Sequence, residues 1–396
     1  MKIINISCVL ILFFHISIDA NAQKLRMWYD KPAARWEETL PLGNGLIGMM
    51  PDGKVEDESI VLNEISMWSG SPQDPNNYNA YKSVEEIQKQ LLAGKNDLAE
   101  NLVNENFVCV GAGSGSGNGA KVPYGSFQNF GFLNFLHTIP GKVNNYRRSL
   151  DLTRAIATTA FDAGGISYLR EYFTSFDANV GVIRLTANKK NAITFATHFY
   201  RDENVSNIQV NEDEISWDGK LPDGRGGDGL QFAGTVKLIT TGGTKQVYDN
   251  QIIVKGADQV LIFFGASTDY YVGSPFSEIN DQFDSIKGRS FKNLRTAHLK
   301  SFSEKFERVS LELNGSEENG ALTTDARIAN FYKHPEKDND LAALYYQFGR
   351  YLSISSTAPE HQNALPPNLQ GLWAHQIQTP WNGDYHLNIN AQMNHW

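Results

Sequence analysis

Between about residues 146 and 271 the chain alternates short apolar runs with clusters of Gly, Asn and Asp. Segments 166–174, 180–185, 193–200, 230–239 and 259–264 are rich in strand formers and alternate in part between apolar and polar positions. That period of two, punctuated by turn residues, predicts a large antiparallel sandwich. Upstream, Gly43-Asn44-Gly45 between apolar runs is a hairpin turn signal. Residues 82–106 switch to helical spacing, with Val84, Ile87, Leu91, Leu92, Leu98, Ala99 and Leu102 on one face. Gly94 interrupts that face, so two short helices are expected. Residues 276–308 again read as helix through Ile286, Phe291, Leu294, Leu299, Phe302 and Phe306. Leu311 and Leu313, followed by Asn314-Gly315, suggest a brief extended excursion. Residues 340–352 give the clearest helix, with Leu341, Leu344, Tyr345, Phe348 and Leu352 on one stripe and Asp338 or Asn339 as its cap.

Composition narrows the class. A net charge of −9 without like-charge blocks argues against nucleic acid and anionic membranes as partners. Met1-Lys2, an apolar run to Ile18 and Ala20-Asn21-Ala22 together read as a secretory signal peptide over 1–22. Cleavage before Gln23 and export to the periplasm or medium are expected, without a membrane anchor. Cys8 lies inside the apolar run, too early for a lipid acceptor, and Cys109 alone remains after cleavage, so no internal disulfide is expected. The glycine-rich stretch at 111–119 lacks a Walker pattern, and Pro123 stands where a dinucleotide-binding helix would open. It reads as a loop. His361, His375, His386 and His395 lack tight ligand spacing, and neither metal nor cofactor is implied.

The chemistry concentrates in residues 366–396, which are dense in amides, aromatics and imidazoles. Buried amides need partners, so this mixture suits a pocket for a polyhydroxylated ring better than an oily core. Trp373 and Trp381 offer flat faces for a sugar. At its centre is Leu387-Asn388-Ile389-Asn390. On an extended backbone Asn388 and Asn390 would project to one side, with Leu387 and Ile389 anchored behind. The pair could hold one water between two side-chain carbonyls, or it could tie a loop together. A water so held needs a carboxylate to take its proton. On the strands, Asp151, Arg170 and Glu171 are candidate catalytic carboxylates or clamps, against the ordinary reading as solvated strand faces.

Several segments resemble glycoside hydrolase family 95, the inverting α-L-fucosidases and related α-L-galactosidases. The resemblance is carried by 367–373 (PNLQGLW), 379–382 (TPWN), 386–390 (HLNIN) and 392–394 (QMN) with Trp396, by 36–50 around LPLGNG and by 62–70 (LNEISMWSG). Residues 124–128 and 131–133 are similar too. It implies a β-super-sandwich at 23–275, a helical linker at 276–323 and the first part of an (α/α)6 catalytic barrel from 324 to 396. It implies that Asn388 and Asn390 position the attacking water. His386 falls where fucosidases carry His and galactosidases tend to carry Thr, so a fucosylated oligosaccharide is the expected partner. The family's general acid and supporting Asp come from later barrel segments; Glu360 and Asp384 fit neither role. The chain thus reads as the front of a longer enzyme, inactive alone on natural fucosides, with apolar faces at Leu341, Leu344 and Phe348 left open. A carbohydrate-binding remnant without hydrolysis and a nonfunctional gene fragment are the alternatives. Oligomeric state is unknown from sequence.

Overall fold

A computed structural model describes residues 25–110, 125–270, 273–313, 317–359 and 364–395. The signal-peptide segment, Cys8, the glycine-rich stretch at 111–119, Glu360, His361 and Trp396 lie outside them. The strands in chain order are β1 Arg26–Tyr29, β2 Leu42–Gly43, β3 Ile47–Pro51, β4 Asp57–Glu64, β5 Gly131–His137, β6 Val143–Asp151, β7 Ile156–Ala163 and β8 Ile166–Thr174. They continue with β9 Gly181–Ala187, β10 Ile193–Tyr200, β11 Val205–Val210, β12 Glu214–Pro222, β13 Asp228–Thr241, β14 Thr244–Tyr248, β15 Gln251–Ala257 and β16 Gln259–Thr268. A nine-stranded sheet runs β1-β6-β7-β8-β9-β16-β13-β12-β11, and a seven-stranded sheet runs β14-β15-β10-β5-β4-β3-β2. Pairing is antiparallel throughout, as the short turn-bounded runs predict.

The inner faces meet in one core that includes Leu62, Phe130, Leu133, Tyr172, Trp217 and Phe264, all fully or almost fully buried. Trp217 of β12 stacks on Phe199 of β10, ring centroids 3.7 Å apart, and so pins the two sheets together. A buried ion pair does the same elsewhere. Arg170 of β8 reaches across to Glu58 of β4 at 2.9 Å and also donates to the carbonyls of Lys54 and Val55. Tyr172 donates to the other oxygen of Glu58 at 2.6 Å. Arg170 is therefore a buried clamp, not a solvated strand residue; Asp151 is likewise buried and pairs with Arg26 at 3.2 Å. Glu171 faces Arg184 at 3.3 Å.

The excursion between β4 and β5 is two helices, α1 Val84–Leu92 and α2 Asn96–Asn106, broken at Gly94 as its sequence position suggests. Ile87 and Ala99 are buried in that hairpin, while Leu91, Leu92 and Leu98 are exposed, so the expected apolar face is mostly uncovered. After the sheets come α3 Pro275–Ile286, α4 Phe291–Phe306, α5 Thr324–Lys333 and α6 Asn339–Ser355. Residues 311–313 have no regular structure, and Asn314-Gly315 lie outside the described residues.

Asp338 caps α6 by accepting from the Leu341 amide at 3.1 Å, and also holds Arg327 of α5 through both carboxylate oxygens at 2.8 and 2.9 Å. The buried line of α6 is Leu341, Leu344, Gln347, Tyr351 and Ser355. Tyr345, expected on that line, is 78% exposed. Leu341, Leu344 and Tyr351 belong to the sandwich core, with Phe348 packed against it. The expectation that Leu341, Leu344 and Phe348 present an open face is thereby corrected: α6 turns this side inward, and Tyr351 donates to the Pro41 carbonyl at 2.7 Å.

Candidate active site

The amide- and aromatic-rich segment lies against the end of the seven-stranded sheet, and the N-terminal motifs are its seat. In the β2–β3 turn, the Asn44 side chain accepts from the amides of Leu46 and Ile47 and donates to the Ser175 carbonyl at 2.8 Å. This fixes a turn in which Gly45 has φ +84° and gives its amide to the Ser355 carbonyl at 2.8 Å. A Cβ there would sit 2.2 Å from the Thr357 carbonyl carbon, so only glycine lets the end of α6 come this close.

Trp373 is inserted next. Its ring lies in a buried cluster with Met50, Val61, Ile65 and Leu372, and its indole N–H donates to the Leu42 carbonyl at 2.9 Å. At 6% exposure it has no open face for a sugar, so the sequence-based reading of Trp373 as a stacking platform is corrected. Asn63 then donates to the Ala374 carbonyl and Asn129 to the His375 carbonyl, each at 2.8 Å. His375 stacks on Trp36 with centroids 4.4 Å apart. Thr379 donates to the Phe127 carbonyl at 2.9 Å, and the Phe127 amide returns to the Asn382 carbonyl at 2.8 Å. Tyr385 stacks on Trp68 of the sandwich at 5.5 Å. The carbonyls of Ala374, His375 and Asn382 are satisfied from the N-terminal half, and those of Leu42 and Phe127 by Trp373 and Thr379 in return, which explains the density of polar side chains on both sides.

Beyond this seat the chain turns outward. Trp381, Asn382 and Gly383 are all left-handed, with φ of 48°, 55° and 62°, and Trp381 is 72% exposed. His386 is left-handed too, at φ 44°, and its imidazole Nε2 lies 2.6 Å from Asp384 Oδ1. The Ile389 and Ala391 amides both fold back to the His386 carbonyl, at 3.2 and 3.3 Å. Gln392 closes the same turn on the Leu387 carbonyl at 2.8 Å.

Asn388 therefore sits in a turn, and Asn390 opens the one-turn helix α7 Asn390–Met393. The extended backbone expected for 387–390 is not formed, because the left-handed His386 reverses the chain and local hydrogen bonds replace a strand ladder. Leu387 and Ile389, expected to anchor behind, are 72% and 44% exposed. Asn388 is exposed and Asn390 half-buried. Trp381, His386, Asn388 and Asn390 thus fall on one surface stretch of chain, with His386 and Asn390 half-buried, while Trp373 is packed apart from it in the buried seat.

Behind the seat is a group that sequence reasoning did not single out. Glu64, at the end of β4, is buried, and one carboxylate oxygen accepts from the Ser66 amide and hydroxyl at 2.8 and 2.7 Å. Burial pushes its carboxyl up to about 7, against the opposing pull of the Ser66 hydrogen bonds. Its place in Leu62-Asn63-Glu64 carries no periodic mark of burial, since charged residues at strand ends are ordinarily solvated. Burial likewise pushes the Tyr385 hydroxyl up to about 12 and holds the His375 imidazole below its ordinary range. Among the described residues no group of three or more His, Cys, Asp or Glu is placed to hold a metal ion.

Comparison with known proteins fits this two-part construction. Residues 27–272 match the N-terminal domain model of glycosyl hydrolase family 65, and residues 290–396 match the catalytic domain model of glycosyl hydrolase family 95. This order, a sandwich followed by helices and then an amide-rich segment, falls across two domain models of the glycosyl hydrolase class. Within that class, the chain carries a glycosyl hydrolase family 65 N-terminal domain over more than half its length and is family 95-like in its catalytic segment. Alpha-L-fucosidase 2 of Arabidopsis thaliana is 29% identical over 95% of this chain and 47% of its own length. Probable alpha-fucosidase A of Aspergillus niger is 29% identical over 93% of this chain and 47% of its own length. The chain spans about half the length of the curated relatives it matches. Among solved structures, a putative kojibiose phosphorylase from human microbiome superposes with a TM-score of 0.50 at 10% identity, covering 91% of this chain and 45% of that one, a likeness of fold.

Proposed function

We propose that this chain carries the water-positioning half of a glycosidase that releases terminal α-L-fucose from fucosylated glycans with inversion. The observation that supports it most is the family 95 catalytic match over a segment whose His386, Asn388 and Asn390 lie within five residues of one another at the surface, Asn388 exposed and the other two half-buried. The relatives named as fucosidases support the sugar. In this reading Asn388 and Asn390 hold the attacking water by their side-chain carbonyls, and a carboxylate removes its proton. His386 is oriented by Asp384 at 2.6 Å and packs on the 6-deoxy methyl of fucose, where a 6-hydroxyl would be unwelcome. Trp381 gives the sugar an aromatic face, and Trp373 acts only by packing in the buried seat. Export through the 1–22 signal segment would place the enzyme with extracellular or periplasmic glycans.

The test is sugar preference. Ligand-observed NMR competition should show the chain binding L-fucose more tightly than L-galactose, and His386→Thr should move the ratio toward L-galactose. An unchanged ratio, or binding no better than that of D-glucose, would overturn the assignment.

A further inference from the structure

The outer face of the nine-stranded sheet is only partly covered. Helix α3 packs on β13 and β16 through Ile279, Phe283 and Ile286, in a cluster with Ala233 and Phe263. It leaves the outer face of β12 and of the edge strand β11 open, with its own flank standing as a wall beside them.

The sequence on that floor is polar at every second position. The register sets Asn207 beside Asp218 and Gln209 beside Ser216. It sets Ser216 beside Thr235 and Glu214 beside Lys237. Because alternate residues share a face, these side chains form one ladder of amides, hydroxyls and carboxylates across three strands. The wall of α3 adds Phe276, 39% exposed, and the exposed amide of Asn280. The resulting cavity holds about 170 Å³, and a more open groove of about 1020 Å³ shares Glu214, Lys237 and Phe283 with its lining.

The charges identify the kind of guest. Lys237 lies over the Phe283 ring at 4.3 Å and faces Glu214 at 3.5 Å. Lys245 pairs with Asp213, and Arg289 with Asp177 at 2.6 Å. Lys287 is the remaining cation, on the far rim of the groove. The floor itself thus presents no uncompensated positive charge to a phosphate or a uronate. It presents carboxylates and amides beside an aromatic edge; Asn207 donates to both oxygens of Asp218 at 3.1 Å, and the lone pairs and N–H left over by that pair accept from and donate to hydroxyls. That is a recognition surface for neutral, polyhydroxylated chains, and the volume exceeds what one sugar ring needs.

We propose that the groove between β11–β12 and α3 is an accessory site for a neutral oligosaccharide, separate from the His386–Asn390 stretch. Asn207, Asp218 and Gln209 bind hydroxyls, and Phe276 packs against a sugar face. The proposal stands whether or not the chain acts on fucosides, because it uses none of the same residues.

The test is titration of the 396-residue chain with neutral tetrasaccharides of the cello-, xylo-, manno- and galacto-series, followed by backbone amide NMR and calorimetry. At least one series should bind saturably and shift the amides of Asn207, Gln209 and Asn280. Phe276→Ala and Asp218→Ala should each weaken it at least tenfold, whereas Asn390→Ala should leave it unchanged. Ser216→Arg, which fills the floor at a half-buried position, should abolish it while the thermal transition stays near that of the parent. Shifts confined to residues 381–390, equal affinity in the three groove variants, tighter binding of an oligogalacturonate, or no binding in any series would each overturn the proposal. The first of these would still leave the fucoside reading intact.

Discussion

At Gly45 one missing side chain decides whether two halves of the molecule meet. With φ at +84° and Thr357 backbone where a Cβ would go, Gly45→Ala meets both a left-handed strain of about 1–2 kcal/mol and a backbone clash. The urea midpoint should fall without a change in slope, and the amide of Gly45 should lose its protection from hydrogen exchange. An unchanged midpoint would mean that the contact with the end of α6 is not formed in solution.

Glu64 makes a prediction of opposite character. Its folded carboxyl titrates near 7, above the unfolded value of 4.5, so between these the folded state holds a proton that the unfolded chain has released. Its contribution to stability is present below pH 4.5 and is lost as pH rises through 7, to the extent of about 3 kcal/mol. Glu64→Gln should remove that slope, so that the variant gains on the parent between pH 5 and pH 8 on the order of a few kcal/mol. Chemical denaturation at the two pH values measures this, and parallel curves for parent and variant would refute it.

Among the elements, the position of the strands is the most legible part of the sequence. The segments at 166–174, 193–200 and 259–264 fall inside β8, β10 and β16 because their apolar alternation matches the burial of one face. The cap of α6 and the break at Gly94 were legible for the same local reasons. What failed was non-local. Tyr345 fits the apolar stripe but faces solvent, since which side of a helix is covered depends on what packs there. The extended reading of 387–390 failed at His386, a left-handed non-glycine residue that no pattern marks. Trp373 reads as a sugar platform because an aromatic in an amide-rich segment looks the same whether it stacks on a ligand or anchors a loop.

Arg170 was equally illegible, since nothing local announces that Glu58 lies opposite on the other sheet. This clamp gives an element-scale prediction. Arg170→Met leaves Glu58 buried without its cation, held by the Tyr172 hydroxyl, which costs about 3–5 kcal/mol. Adding Glu58→Gln to that variant should restore part of the loss, because the stranded charge is gone. A double variant no more stable than Arg170→Met alone would show that packing, not charge, dominates at the β4–β8 crossing.

At the scale of the whole molecule, the two matched segments are joined by a seam of hydrogen bonds. The motifs around Gly43-Asn44-Gly45, Asn63 and Phe127–Asn129 belong to the sandwich, yet their hydrogen bonds end on residues 355, 374, 375, 376 and 382 of the catalytic segment. The sandwich is therefore the support on which the loop carrying His386, Asn388 and Asn390 is held.

The central claim is that this supported loop positions a water for inverting attack on α-L-fucosides. Hydrolysis of α-L-fucosyl fluoride, whose leaving group needs little acid assistance, tests it most directly, with proton NMR following the first sugar released. The account predicts that β-L-fucose forms first, that Asn390→Ala suppresses release by ~10²-fold or more, and that natural α-1,2-fucosides are cleaved far more slowly by the 396-residue chain. α-L-Fucose as the first product, release indifferent to Asn390→Ala, or saturable fucose binding with no fluoride release at all would contradict it.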